Sequence, residues 1–260
     1  MPAQLTRDLH GLRERAANRP GDPVARAELC AALYGTAEGE RCLAQTTELI
    51  HTALRLGSNA VALQASEILW RTSGDPRWAV LAAEAALLDG ATDDGRGRLE
   101  AVVGQFPDDP APRTRLSALA LAAGDAATAL RWIEPVATAH GEARAGYAHA
   151  LLAAGRAAEA VDFARESCEA LPGEAEIFLA LGLALLATEQ PGRAVGAFSE
   201  ALRLDPRRPE AHYDLAVAFA LDGSVPAAIG VVDAALIARP EDARLVALRE
   251  QLLAQLRQAG

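Results

Sequence analysis

The sequence predicts an all-α fold, a solenoid of antiparallel helix pairs. Three observations carry this expectation. Pro172, Pro206 and Pro240 recur at intervals of 34 residues, with Pro107 near the same rhythm. Alanine and leucine dominate a hydrophobic fraction of 51%, while aromatics make up only 4%, a composition suited to helices packed closely on helices. Few segments show the alternation of Val, Ile, Thr and Tyr that marks a strand.

Residues 1–75 read as four helices, roughly Leu5–Asn18, Pro23–Tyr34, Arg41–Leu56 and Asn59–Arg71. The repeat pattern is weak there and two registers fit, so this stretch is read as degenerate N-terminal helical repeats. A separate small helical domain is the alternative. No Gly/Ser-rich or Pro-rich linker divides it from the chain beyond residue 75, which favours one continuous array.

Residues 76–242 divide into five units: 76–109, 110–140, 141–174, 175–208 and 209–242. In the unit 175–208, Phe178, Leu181, Gly182 and Leu185 mark a first helix. Ala194, Phe198 and Ala201 mark a second, and Pro206 ends it. The unit 209–242 repeats this through Leu215, Ala216, Phe219, Ala228, Val232, Ala235 and Pro240. The unit 141–174 keeps Ala148, Leu151, Ala160 and Pro172. The unit 110–140 is short but keeps Leu116, Ala129 and Ile133, and the unit 76–109 keeps Ala83, Leu99, Val102 and Pro107. Small residues are needed where two helices cross closely, so Gly182 is expected to face Ala194, Ala148 to face Ala160, and Ala216 to face Ala228. The prolines block continuation of the second helix. Gly124, Gly155 and Gly223 fall where first helices must stop, and Pro191 and Pro226 suit the first turn of the next helix. Residues 243–260 read as a C-terminal capping helix, roughly Ala243–Arg257, with Val246 and Leu253 at apolar places and Arg249 and Glu250 facing water.

This pattern resembles the tetratricopeptide repeat. That family's signature places an aromatic, Leu, Gly and a large residue on the first helix. Ala, a large residue and Ala follow on the second, and then Pro. The resemblance implies a right-handed superhelix whose concave face is lined by the first helices and binds extended peptides or helices of other proteins. The second, fifth, ninth, twelfth and thirteenth places of each unit should face that groove. They supply an apolar floor of Leu152, Leu179, Leu183, Leu186, Tyr213, Val217 and Leu221, edged by an acidic row of Glu142, Glu176 and Glu210. An alternative is that the leucines pack between adjacent helices. Chaperone-tail receptors of the family clamp a carboxylate with Lys, Asn and Arg on this face; here Arg77 stands nearly alone. The asparagine ladder of the glycan-transferase type is missing too, since only Asn18 and Asn59 occur.

Charge and chemistry narrow the function further. The net charge is −10, which opposes binding to nucleic acid or anionic lipid. All 25 basic residues are arginine, as in a GC-rich genome, and a bacterial source is expected. Met1–Gly11 lacks the apolar core of a signal peptide, and no run approaches the ~18 apolar residues of a membrane span. Cys30, Cys42 and Cys168 stand at no motif spacing and read as reduced thiols of a cytoplasmic protein. His10, His51, His140, His149 and His212 have no metal-pair spacing. Asp89, Asp93 and Glu100 echo a calcium loop, but Ala91, Asp94 and Arg96 break it. Gly95-Arg96-Gly97 lacks the strand and Lys-Ser/Thr of a phosphate loop, and no nucleophile elbow occurs. Asp108-Asp109 and Glu241-Asp242 lie near helix starts, where they complement the dipole. No enzyme activity, cofactor or metal is expected.

The sequence thus predicts a protein–protein scaffold or adaptor. Its partner would be a protein or peptide with an apolar or amphipathic segment, flanked by basic residues. Two alternatives are a homo-oligomer assembled through the N-terminal repeats and an accessory subunit that positions a separate enzyme.

Overall fold

The computed structural model describes residues 2–259, with side chains described from Leu9 to Gln258. Fifteen α-helices and one short 3-10 turn, Glu134–Val136, account for the ordered elements, and no strand occurs among the described residues. The packing forms two units, residues 1–116 and 117–260, divided inside one helix, α7 (Pro110–Ala122).

The first unit contains α1 (Pro2–Asn18), α2 (Pro23–Ala32), α3 (Ala37–Arg55), α4 (Asn59–Ser73), α5 (Pro76–Leu88) and α6 (Thr92–Gln105). Local chemistry sets the starts. Asp22 accepts from the Val24 and Ala25 amides at the head of α2, Thr36 accepts from Gly39 at the head of α3, and Asp75 accepts from Arg77 at the head of α5. Helix α2 packs on α1, α3 and α4, and α4 packs on α5. One core results. Ala27, Leu29, Cys30 and Ile50 meet Ala62, Ala65 and Leu69, and these meet Trp78, Leu81 and Ala85. Residues on both sides of the expected boundary at 75/76 therefore share a single apolar cluster.

The expectation of three reduced thiols fails for two of them. Cys30 on α2 and Cys42 on α3 are joined in a disulfide. Their separation of 12 residues matches no sequence motif; the pairing arises because α3 folds back along α2. Cys168 is free and buried, and burial pushes its thiol up to about 11.

The second unit runs through α8 (Ala126–Ile133), α9 (Gly141–Ala153), α10 (Ala157–Ala170), α11 (Ala175–Ala187), α12 (Pro191–Leu204), α13 (Pro209–Leu221), α14 (Val225–Ala238) and α15 (Ala243–Ala259). The first helices begin where the repeat units begin. Each of α9, α11 and α13 packs on its own second helix, and the first helices α9, α11, α13 and α15 pack side by side. Gly124, Gly155 and Gly223 adopt φ of 75°, 74° and 84° where first helices stop. The unit 110–140 is short because α8 is only eight residues long. Pro135 lies in the 3-10 turn that comes next, where it has no N–H to continue an α-helical ladder.

Two packing expectations need correction. Gly182 makes room for Phe198 and not chiefly for Ala194: a Cβ on Gly182 would overlap the Phe198 ring. Ala194 is nonetheless fully buried, as are Ala160 and Ala228. Ala148 is grouped with Ala145, Ala164 and Ala180, while Ala216 and Ala228 do share a cluster. In α15 the buried stripe is Leu245, Leu248 and Leu252, whereas Val246 is exposed and Leu253 half-buried. Arg249 reaches back to Asp233 on α14, which holds a charged residue where α11 and α13 carry Leu181 and Leu215.

Candidate protein-binding surface

The row formed by α9, α11 and α13 carries the side chains expected to face a partner. Their burial is uneven. Leu179 is only 6% exposed and belongs to the core around Phe198, so it offers no surface, and its place in the expected floor is corrected. Leu152, Leu183 and Leu186 are half-buried and lean on that same core. Val217 and Tyr213 are half-buried against the next cluster, built on Ala216, Val232 and Leu245. Leu221, at the end of α13, is 63% exposed. The floor therefore consists of leucine and valine edges rather than whole side chains. Its fully presented apolar residue is Leu221.

The polar residues are more engaged than their sequence places suggest. Glu176 on α11 is ion-paired with Arg208, the residue that precedes α13. His149, one repeat earlier on α9, lies near both. Burial holds its imidazole below the usual histidine range, with Glu176 opposing and Arg208 reinforcing the shift. Its Nε2 is buried without a hydrogen-bond partner. Glu142 and Glu210 are exposed at the starts of α9 and α13. Within the acidic row, Glu176 is thus already neutralised from within the chain.

Tyr213 is also engaged. The Arg244 guanidinium, from α15, stands 4.7 Å from the centroid of its ring. Beside them Asp214 is partly buried, and this desolvation pushes its carboxyl up to about 6, against the pull of Arg244 and with the push of Glu210. Arg208 and Arg244 were not singled out by sequence. Arg208 lies just outside a helix, in a loop place with no repeat consensus. Arg244 occupies the second place of α15, where the preceding helices carry Glu142, Glu176 and Glu210, so the register itself held the signal.

Among the described residues, no group of three or more His, Cys, Asp or Glu side chains is arranged to hold a metal ion. No helix among them is long and apolar enough to cross a membrane. Asp93 and Asp94 sit in the first turn of α6, and Asp94 pairs with Arg98.

Residues 179–243 match the family model described as tetratricopeptide repeat. No curated protein sequence matches the chain. Solved structures do. One is a chain of the APC/C hetero-tetramer Cut9–Hcn1, with a TM-score of 0.68 at 12% identity, covering 95% of this chain and 46% of that one. This chain thus spans under half the length of that relative. Another is a tetratricopeptide repeat protein from Parabacteroides merdae, with a TM-score of 0.65 at 13% identity, covering 95% and 99%. A third is PilW, a widely conserved type IV pilus biogenesis factor, with a TM-score of 0.64 at 14% identity, covering 78% and 96%. At such identities the likeness is one of fold. The chain carries tetratricopeptide repeats at residues 179–243 and folds as an all-α array of the helix pairs typical of that class.

Proposed function

We propose that this protein is a non-enzymatic scaffold that captures an apolar or amphipathic segment of a partner protein along α9, α11 and α13. The observation that carries the reading is the alignment of half-buried apolar side chains at equivalent places of successive helices. Leu183 matches Val217 in register, and Leu152 matches Leu186, with Leu221 exposed at the rim. Apolar edges presented in a line suit a helix or extended segment laid across them. Glu210, exposed at the start of α13, favours basic residues beside that segment; Glu176 contributes less, because Arg208 already holds it. The expected cytoplasmic setting loses the argument from reduced thiols, since Cys30 and Cys42 are bridged.

Two variants test the reading. Leu183→Ser with Val217→Ser removes the floor, and Leu221→Asp changes only an exposed rim side chain. Proteins retained from an extract of the source cells by the full chain should be lost by both. They should be kept by a Glu200→Ala/Arg203→Ala control, whose residues pair with each other on α12. A folded Leu221→Asp chain that retains the same proteins as the wild type would place the partner elsewhere.

A further inference from the structure

Two helix faces meet in a cleft of about 330 Å³ in the first unit. Helix α2 and its C-cap supply Arg26, Leu29 and Leu33, and α3 supplies Glu38, Arg41, Cys42 and Gln45. Cys42 lines the cleft. Its disulfide partner Cys30 does not, and is only 1% exposed. Both cysteines are buried, Cys42 at 6% exposure, but of the two only Cys42 borders the cleft.

Each sulfur also has a neighbour that a thiol can use and a disulfide cannot. Cys30 Sγ lies 3.1 Å from Thr46 Oγ1. The Thr46 hydroxyl donates its own proton to the Cys42 carbonyl at 2.8 Å, which leaves an oxygen lone pair facing Cys30. Cys42 Sγ lies 3.6 Å from the Arg26 carbonyl oxygen, a second acceptor. A bridged sulfur has no proton to offer these oxygens. Two thiols would have one each, so each sulfur has an acceptor waiting once the bridge opens and the sulfurs move apart.

The cleft is also cationic in a chain of net charge −10. Glu38 is paired with Arg13 at the rim. Arg26 is half-buried and its Nε–H is buried without an acceptor, which leaves a guanidinium edge unsatisfied. Arg41 is exposed among the lining residues contributed by α3.

We propose that this cleft is a thiol–disulfide exchange site for small anionic thiols, with Cys42 as the sulfur attacked and Cys30 as the sulfur that leaves. The carboxylates of the thiol meet Arg26 and Arg41, and its thiolate attacks Cys42 Sγ in line with the bridge. The new S–S bond joins thiol and Cys42. The Cys30–Cys42 bond breaks, and its electron pair leaves on Cys30, which takes a proton from water and donates it towards Thr46 Oγ1. A second thiolate attacks the sulfur of the bound thiol in the mixed disulfide, which releases the small-molecule disulfide and Cys42 as a thiolate. Two thiols are oxidised and one bridge is reduced. The reverse sequence rebuilds the bridge.

The test uses the full chain with Cys168→Ala throughout. Cys30→Ser leaves a thiol at Cys42, and Cys42→Ser leaves one at Cys30. With oxidised glutathione, the chain that keeps Cys42 should form a mixed disulfide about tenfold faster or more than the chain that keeps Cys30. Adding Arg26→Ala should slow oxidised glutathione several-fold and leave the neutral hydroxyethyl disulfide nearly unchanged. In the chain with both cysteines, reduced glutathione should open the bridge and leave its adduct on Cys42 by peptide mapping. An adduct on Cys30, equal rates at the two cysteines, or equal slowing of both disulfides by Arg26→Ala would overturn the proposal. So would a bridge that glutathione never opens in a chain shown by circular dichroism to be folded.

Discussion

Glu189 holds a φ of 57°, the one positive value outside glycine among the described residues. It stands where α11 ends, at the place that Gly90, Gly124, Gly155 and Gly223 fill in the other repeats, with φ between 74° and 84°. An L side chain there crowds its Cβ against the neighbouring carbonyl, at a cost of about 1–2 kcal/mol. Glu189→Gly is therefore expected to stabilise the chain by about 1 kcal/mol, less the extra freedom gained by the unfolded state. A higher urea midpoint at unchanged slope would show it. Asp214 makes a second case at this scale. Its carboxyl is raised to about 6 in the folded protein by burial. Above that pH the folded state carries a charge that it disfavours relative to the unfolded chain. As pH falls through about 6, the folded state takes up its proton first and stability from this group rises; below the unfolded value the effect is complete. Asp214→Asn should therefore stabilise the protein at pH 8 by about 1 kcal/mol, allowing for solvent screening of a partly exposed group. The gain over the wild type should vanish near pH 3.5, where both states of the wild type are protonated. A gain that persists unchanged at acid pH would show that charge is not its cause. His149 works in the opposite sense: burial depresses its pKa, so its contribution is lost as pH falls below the ordinary histidine value.

At the scale of the helix, α15 departs from the first helices that precede it. It stands where a further first helix would stand, and buries Leu245, Leu248 and Leu252 against α14 and α13. In register, Arg249 and Glu250 replace Leu215 and Ala216 of α13. Arg249 pairs with Asp233, and Glu250 is exposed. Leu252→Ala should cost about 2–3 kcal/mol, because it leaves a cavity at a site only 2% exposed. Leu256→Ala, four residues on and 41% exposed, should stay within about 0.5 kcal/mol of wild type. Equal effects in thermal or urea unfolding would mean that α15 is rotated from the orientation described.

At the scale of the whole molecule, the helices, their order and most of their limits were legible in the residues alone. A repeat states the same packing problem several times. Small residues at crossings, glycine at the end of a first helix and proline after a second are each local solutions, and the local chain displays them. The starts of α5, α7, α9, α11 and α13 coincide with the expected unit starts for this reason. The candidate surface was legible only in part. Periodicity places Leu179 and Leu183 on the same helix face, but their fates differ. Leu179 meets the core around Phe198, and Leu183 stays half open. That difference depends on how closely the neighbouring helix approaches, which no single helix encodes. The same holds for Arg208 on Glu176, a pair between the two ends of one unit, and for Arg244 on Tyr213, a pair across neighbouring units, both made by long side chains whose reach exceeds the repeat pattern. The bridge between Cys30 and Cys42 lay furthest from view. Its two residues share no motif, and they meet because a turn lays α3 along α2. Periodicity is a property of the backbone's own geometry, so sequence alone reveals the architecture. Which side chains are covered, paired or bridged is a property of distances between helices, and those distances exist only once the chain has packed.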